Sequence, residues 1–191
     1  MQRLWLLSRL LLPSLSLLCL VGSPAALAQG TGTSSYQVEV IVFRASGARE
    51  GEPGTTPLRS ASGDAASGAT QMARYLGPLP AAKLQLSGAR QKLAAAGYRV
   101  LAHTGWTQTA STWGSRNGLS VGQLGVQVPG LSGSFLLERG ALLHFGMNLR
   151  YSPEGGGVQQ MNEMRRIRFN EKNYYDHPGL GVIAVVTPGG R

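Results

Sequence analysis

The stretch Tyr36-Gln-Val-Glu-Val-Ile-Val-Phe43 is the clearest strand signal in the sequence and decides the fold class. Its valines alternate along one face, while Ile41 and Phe43 make the end of the other face apolar as well. A strand that is apolar on both sides usually lies inside a sheet that is covered on both faces. We therefore expect this strand at the interior of a sheet, with other elements packed above and below it.

The segments that follow predict an α+β fold. Residues 86–96 contain good helix formers with apolar residues at helical spacing, and Gly97 stands where a helix would end. Strands are predicted at 98–106, 121–128, 133–138, 141–151, 160–169 and 181–187, with a hairpin turn at Arg139-Gly140 and a tight connection at 174–179. We predict a mainly antiparallel sheet with at least one helix packed on one face. The initial order of strand, helix and strand is compatible with a ferredoxin-like βαβ start.

The amino-terminal residues predict an export signal. Arg3 and Arg9 supply positive charge, an apolar run follows, and Ala26-Leu-Ala28 places small residues where a signal peptidase cuts. The alternative is a membrane anchor, but the run is shorter than the ~20 apolar residues that span a bilayer. We predict a signal peptide at residues 1–28, cleaved after Ala28, and no stable membrane insertion after cleavage.

The remaining chain is predicted to form one domain. Residues 29–35 are small and polar and predict a loose leader, residues 36–187 predict a single α+β domain, and residues 188–191 form a tail. Within the domain, residues 45–70 are rich in Gly, Ser and Ala and contain hardly any large apolar side chain. Such a segment cannot bury enough surface to offset its ordering entropy, so we predict a flexible insert there.

Cysteine usage and charge restrict the function classes. Cys19 is the only cysteine and lies in the predicted signal, so the exported domain would have no disulfide and no thiol chemistry. Without Arg3 and Arg9, 16 basic residues stand against 9 acidic ones, a net charge of +7. This charge favours anionic partners such as acidic lipid or the carboxylate-rich polymer peptidoglycan. Export and the scattered placement of the basic residues both argue against nucleic acid as a binding partner.

No catalytic motif is evident. His103, His144 and His177 lie on different segments without metal-ligand spacing, and we predict neither a metal site nor another cofactor. Asp176-His177 could be a carboxylate–imidazole pair, but an Asp before His-Pro-Gly more often accepts backbone hydrogen bonds in a turn. We expect a protein that is not an enzyme. A wall-active hydrolase that uses His144 or His177 with a carboxylate or a metal is the alternative.

The strands at 141–151 and 160–169 suggest a binding surface. If they are neighbours, their polar sides share one sheet face, where arginine side chains can grip carboxylates through two-point hydrogen bonds. Aromatic rings could in addition stack on sugars. The predicted ligand-binding residues are His144, Asn148, Arg150, Arg166, Arg168, Trp106 and Tyr174, with Trp113 as a further stacking candidate. The alternative is an ordinary solvated sheet face, with the tryptophans in the core or anchoring loops.

The sequence resembles the CsiV-like peptidoglycan-binding proteins of Gram-negative bacteria. Four stretches carry the resemblance: the strand at 36–43, the helix and strand at 93–108, the segment at 131–149, and Arg165-Arg-Ile-Arg-Phe-Asn-Glu-Lys-Asn-Tyr-Tyr-Asp-His-Pro-Gly-Leu-Gly-Val-Ile-Ala184, which is the most specific. The insert at 45–70 and the pair Lys172-Asn173 depart from the shared pattern. The resemblance implies a periplasmic, non-enzymatic protein that binds peptidoglycan and supports cell-wall synthesis or cell shape. An adaptor for an outer-membrane or wall-synthesis protein is a further alternative.

Overall fold

The computed structural model describes residues 34–44, 71–154 and 156–189. The predicted signal peptide, the insert at 45–70, most of the leader and the last two residues lie outside these ranges. The described elements are β1 Ser35–Arg44, β2 Tyr75–Pro78, a 3₁₀ turn Ala81–Lys83, α1 Ser87–Ala95, β3 Arg99–Thr109, β4 Ser111–Thr112, β5 Leu119–Ser120, β6 Leu131–Arg139, β7 Leu143–Tyr151, β8 Gln159–Arg166, β9 Lys172–His177 and β10 Leu180–Pro188.

These strands form two sheets rather than one. Sheet A has the order β2-β3-β1-β10-β9, and all its pairs are antiparallel. Sheet B has the order β4-β6-β7-β8, with β5 also paired to β6, and only its short β4–β6 pair is parallel. The prediction of mainly antiparallel structure is therefore confirmed, although the strands divide between two packed sheets.

Strand β1 lies in the middle of sheet A, between β3 and β10, as its apolar pattern predicts. Val38, Val40 and Val42 point into the core between the two sheets. On the other side Ile41 and Phe43 pack against Leu86 and the helix that follows it. Both faces of β1 are consequently buried.

The helix forms a third layer on the side of sheet A that faces away from sheet B. The predicted helix at 86–96 is observed as α1 with Leu86 at its N-cap and Ala96 at its C-cap, and Gly97 follows with φ +83°. Leu86 is fully buried, and Ala89 and Leu93 pack partly against the same small core. No residue within α1 itself is buried, so the helix acts as a cover over sheet A.

The structure does not show the ferredoxin-like βαβ start, because β1 and β3 are antiparallel. In β3, Gln108 lies opposite both Tyr36 of β1 and Tyr75 of β2. Before α1 starts, the chain is therefore level with the beginning of β1 but one strand away from it, on the far side of β3. The helix then leads to the other end of β1, where Arg99 lies opposite Arg44 and β3 turns back.

Two smaller predictions are wrong. Residues 172–177 form the edge strand β9 where a tight connection was predicted, and only residues 178–179 turn. The strand predicted at 121–128 is absent there, since residues 121–125 are turn and β5 covers only Leu119–Ser120. In β9 only Tyr175 is buried, and its neighbour Tyr174 packs on the opposite side, so no alternation of apolar and polar residues marks this strand in the sequence.

A buried carboxylate joins sheet A to the helix layer. Glu39 of β1 is 3% exposed and accepts hydrogen bonds from the backbone N–H groups of Gln85 (2.6 Å) and Leu86 (2.9 Å) at the start of α1. Its Oε1 also lies 2.7 Å from Nε2 of His103 in β3. Leu86 is the N-cap, whose N–H has no partner within the helix, and Gln85 directly precedes it, so this carboxylate fixes the entry to the helix from the sheet.

Candidate ligand-binding face

We call the side of sheet B that faces away from sheet A the outer face. In β7 the odd-numbered residues Phe145, Met147 and Leu149 are buried in the main core. Because side chains alternate along a strand, the even-numbered residues of β7 point to the outer face. The strand pairing then defines four rows that cross β6, β7 and β8: Ser132–Arg150–Gln160, Ser134–Asn148–Asn162, Leu136–Gly146–Met164 and Glu138–His144–Arg166.

The structure places four of the predicted residues on this face, namely His144, Asn148, Arg150 and Arg166. They do not converge. Arg166 lies opposite His144, whereas Arg150 lies opposite Gln160, six positions earlier in β8. At the usual rise per residue this separates the two arginines by roughly 20 Å. The expected cluster of guanidinium groups is thus wrong, because the register puts one arginine at each end of the face.

Arg168 lies outside the outer face. The strand predicted at 160–169 is shorter in the structure, because β8 ends at Arg166 and the chain continues towards β9. Arg168 is 74% exposed in this connection, with its Nη1 3.6 Å from Oε1 of Glu171. It therefore cannot share a site with Arg150 by way of the sheet.

Trp106 is a core residue and is not available to stack on a sugar. It is 1% exposed, packs against Phe135 with 5.5 Å between ring centroids, and donates its indole N–H to Oε1 of Gln108 at 2.5 Å. The stacking role predicted for Trp106 is therefore wrong. Core packing, the alternative interpretation of the tryptophans, applies to Trp106, because β3 buries this ring between the sheets.

Tyr174 belongs to a different surface. It lies in β9 on the helix side of sheet A, where its ring stacks against Phe43 at 6.1 Å. Its hydroxyl donates to Oδ1 of Asp176 at 3.0 Å. Burial, and secondarily this hydrogen bond, raise the pKa of Tyr174 to about 12, so the hydroxyl remains a donor at neutral pH. Asp176 thus pairs with a tyrosine, and Tyr174 does not join the residues on sheet B.

The loop between β4 and β5 covers one end of the outer face. Glu138 at this end is fully buried and accepts the backbone N–H groups of Gly114 (2.9 Å) and Arg116 (2.7 Å). The ring of Trp113 lies on His144 with 3.9 Å between centroids, and the guanidinium of Arg116 lies 5.8 Å from the Trp113 ring centre. The carboxylate of Glu138 therefore holds this loop against the sheet through its backbone.

His144 contributes a ring rather than a charge. Burial lowers the pKa of its imidazole below the ordinary value of 6.5, and this effect outweighs a backbone hydrogen bond to Leu142 and the charge of Glu138, which both raise the pKa. The guanidinium groups of Arg166 and Arg116 lower the pKa further. The imidazole is consequently neutral at pH 7. It supports Trp113 and does not add to the positive potential of the face.

Acidification is expected to destabilise the wild-type protein more than a His144→Gln variant. Since the pKa of His144 is lowered in the folded state, the unfolded chain binds more protons as the pH falls below 6.5. The stability contributed by the neutral imidazole is complete above pH 6.5 and declines towards the lower folded pKa. Thermal unfolding of both proteins at pH 7, 6 and 5 measures this. Curves of Tm against pH that run parallel for the two proteins would contradict the assignment.

A cavity of about 150 Å³ lies on the outer face beside the loop. Its polar lining comes from Arg116, Ser134, Asn148 and Asn162, and its apolar lining from Leu136 and Met164. Met147 and Glu163 border the cavity, but their side chains point to the other side of sheet B. Of these residues only Asn148 was predicted. Asn162 could have been found, since it has the same parity as Arg166 in β8. Arg116 carries no signal in the sequence, because it lies in a Gly- and Ser-rich segment whose path is set by Glu138.

The described residues contain no group of three or more His, Cys, Asp or Glu side chains that could hold a metal ion. In the same part of the chain, none of the helical structure has the length and apolar character that a membrane crossing requires.

Comparison with known proteins identifies the family. No curated protein and no solved structure matches the chain. A family model described as "Peptidoglycan-binding protein, CsiV" matches residues 10–189 of the 191 residues. This match covers β1 to β10 and includes all four rows of the outer face. The chain therefore belongs to the CsiV family of peptidoglycan-binding proteins.

Proposed function

We propose that this protein is a periplasmic, non-enzymatic peptidoglycan-binding protein that holds the wall polymer on the outer face of sheet B and thereby supports cell-wall synthesis or cell shape. The family match over residues 10–189 carries the proposal. The predicted export signal at residues 1–28 supports the periplasmic location, and the positive charge of the chain suits an acidic polymer.

The layout of the outer face suits an extended ligand. Arg150 and Arg166 are exposed at its two ends, and the amide side chains of Asn148 and Asn162 lie in a row between them. Peptidoglycan repeats carboxylates and amides along its length, so one polymer segment can contact both arginines and the amide row. Two cations roughly 20 Å apart on one face match such a polymer better than a small molecule.

The acidic residues around this face favour binding over hydrolysis. Glycan cleavage usually requires two carboxyl groups that flank the scissile bond. In the four rows the one carboxylate is Glu138, which is fully buried and accepts two backbone N–H groups. Glu163 at the border of the cavity is paired with Arg165 at 2.5 Å. Both carboxylates are therefore occupied by contacts within the protein.

Sedimentation with purified sacculi tests the proposal. The protein is purified from the periplasmic fraction of cells that express the full chain, which also checks export and the new amino terminus at Gln29. We expect the wild type to pellet with sacculi and the R150Q/R166Q variant to bind about three- to tenfold more weakly, because each exposed charge contact contributes up to about 1 kcal/mol. Binding should also weaken as the salt concentration rises.

The matched control is R90Q/K92Q, which removes the same charge from exposed positions of α1 on the opposite layer. We expect this variant to pellet like the wild type. Wild-type protein that stays in the supernatant at low salt would overturn the proposal. Equal weakening by both double variants would show that net charge, rather than the outer face, carries the binding.

A further inference from the structure

Arg116 lies at the wall of the cavity on the outer face and forms no ion pair with any residue in the described ranges. Its Nη1 is buried and has no hydrogen-bond partner among the described residues. The guanidinium is held over Trp113, 5.8 Å from the ring centre, and its backbone N–H is fixed by Glu138 at 2.7 Å. A buried polar atom that the protein leaves unsatisfied is costly unless a ligand or water satisfies it. Arg116 also lines the cavity, and its guanidinium has further N–H groups besides the one on the buried Nη1, so an anion that enters the cavity can be bound there.

The nearby acids do not fill this role. The carboxylate of Glu138 accepts backbone N–H groups of Gly114 and Arg116, so its oxygens serve the loop. The carboxylate of Glu163 is 2.5 Å from Nη2 of Arg165. Neither acid near the cavity in the described ranges is therefore free for Arg116, which leaves its guanidinium available to an anion from outside the protein.

The rest of the cavity is built for a peptide end. Ser134, Asn148 and Asn162 form one cross-strand row, and their hydroxyl and carboxamide groups can both donate to and accept from a peptide group. Leu136 and Met164 form an apolar lining in the next row, suited to a methyl group. A volume of about 150 Å³ equals roughly five water molecules, which is enough for a carboxylate and one small residue.

We propose that this cavity binds the carboxyl-terminal end of a wall stem peptide, with the terminal carboxylate on the guanidinium of Arg116 and the last peptide group on the Ser134–Asn148–Asn162 row. This inference rests on the proposed function and assigns the part of the polymer that the cavity takes. The arginines at the two ends of the outer face then contact the remainder of the polymer.

Calorimetric titration with two synthetic stem peptides tests the assignment. Both have the sequence L-Ala-γ-D-Glu-meso-diaminopimelyl-D-Ala, one with a free carboxyl terminus and one with only that terminus amidated. We expect the wild type to bind the free acid at least tenfold more tightly than the amide. R116Q should remove this difference, while R116K should retain a reduced preference because it keeps the charge and loses the two-point geometry. R90Q, at an exposed position of α1, is the control and should preserve the full preference.

Folding of the loop is checked independently by the NMR signal of the Trp113 indole, which should be unchanged in R116K. Equal affinity of the wild type for acid and amide would overturn the inference, and so would an unchanged preference in R116Q. If sacculi still pellet the protein in that case, the proposed function stands and only the cavity assignment fails. Loss of sacculus binding by the wild type would instead remove the proposed function.

Discussion

Replacing Trp106 with alanine is expected to lower the free energy of unfolding by about 3–5 kcal/mol, the usual cost of truncating a buried tryptophan. The ring is 1% exposed, contacts Phe135, and hydrogen-bonds to Gln108, which is itself buried. Truncation leaves a cavity between the two sheets and removes the partner of the Gln108 amide oxygen. Whole domains have a free energy of unfolding of only about 5–15 kcal/mol, so this single change removes a large part of the stability.

Denaturant unfolding of W106A and W113A measures the effect. Trp113 is the matched comparison, because it is 37% exposed and packs on His144 at the surface. We expect W113A to be clearly less destabilised than W106A. A W106A protein with wild-type stability but without sacculus binding would contradict the core assignment and restore the stacking role that the sequence suggested.

Replacing Glu39 with alanine is expected to cost about 3 kcal/mol, because hydrogen bonds to a charged group contribute about 1.5–3 kcal/mol each and are not fully additive. The change removes the acceptor for the N–H groups of Gln85 and Leu86 and the partner of His103. The start of α1 then has two buried or half-buried donors without an acceptor. Urea unfolding gives the stability, and amide hydrogen exchange in α1 should accelerate more than exchange in β7.

Gln37→Ala is the control for this prediction. Gln37 lies two residues away on the same face of β1 and is only partly buried. Its loss should change the stability by less than about 1 kcal/mol. Comparable destabilisation of the two variants would show that the carboxylate of Glu39 has no special role in attaching the helix.

The elements with long and regular patterns could be predicted from the sequence. β1 is apolar on both sides and lies in the interior of sheet A, and the hairpin of β6 and β7 turns close to Arg139-Gly140 as its alternation predicts. α1 was found to within two residues because Gly97 ends it. In these segments local preference and burial favour the same structure, so the local sequence is sufficient.

The candidate site was less accessible to sequence reasoning because it depends on register and on loop path. Alternation identifies which side of β7 and β8 is polar, but the distance between Arg150 and Arg166 follows from which residues pair across the strands. Trp106 is buried because a second sheet packs against sheet A, and no local sequence pattern indicates that the strands form two sheets. The position of Arg116 depends on backbone contacts to Glu138, 22 residues away.

The distance between Arg150 and Arg166, at the two ends of the outer face, affects how the affinity for a ligand depends on its length. If the outer face holds the polymer as proposed, a fragment that reaches only Arg150 or only Arg166 gains one weak contact, whereas a strand long enough to reach both makes the second contact at high effective concentration. Affinity then grows with polymer length without any new interaction. Either end can let go and rejoin while the other stays attached, so the protein can remain on an intact wall yet exchange quickly with its short turnover products.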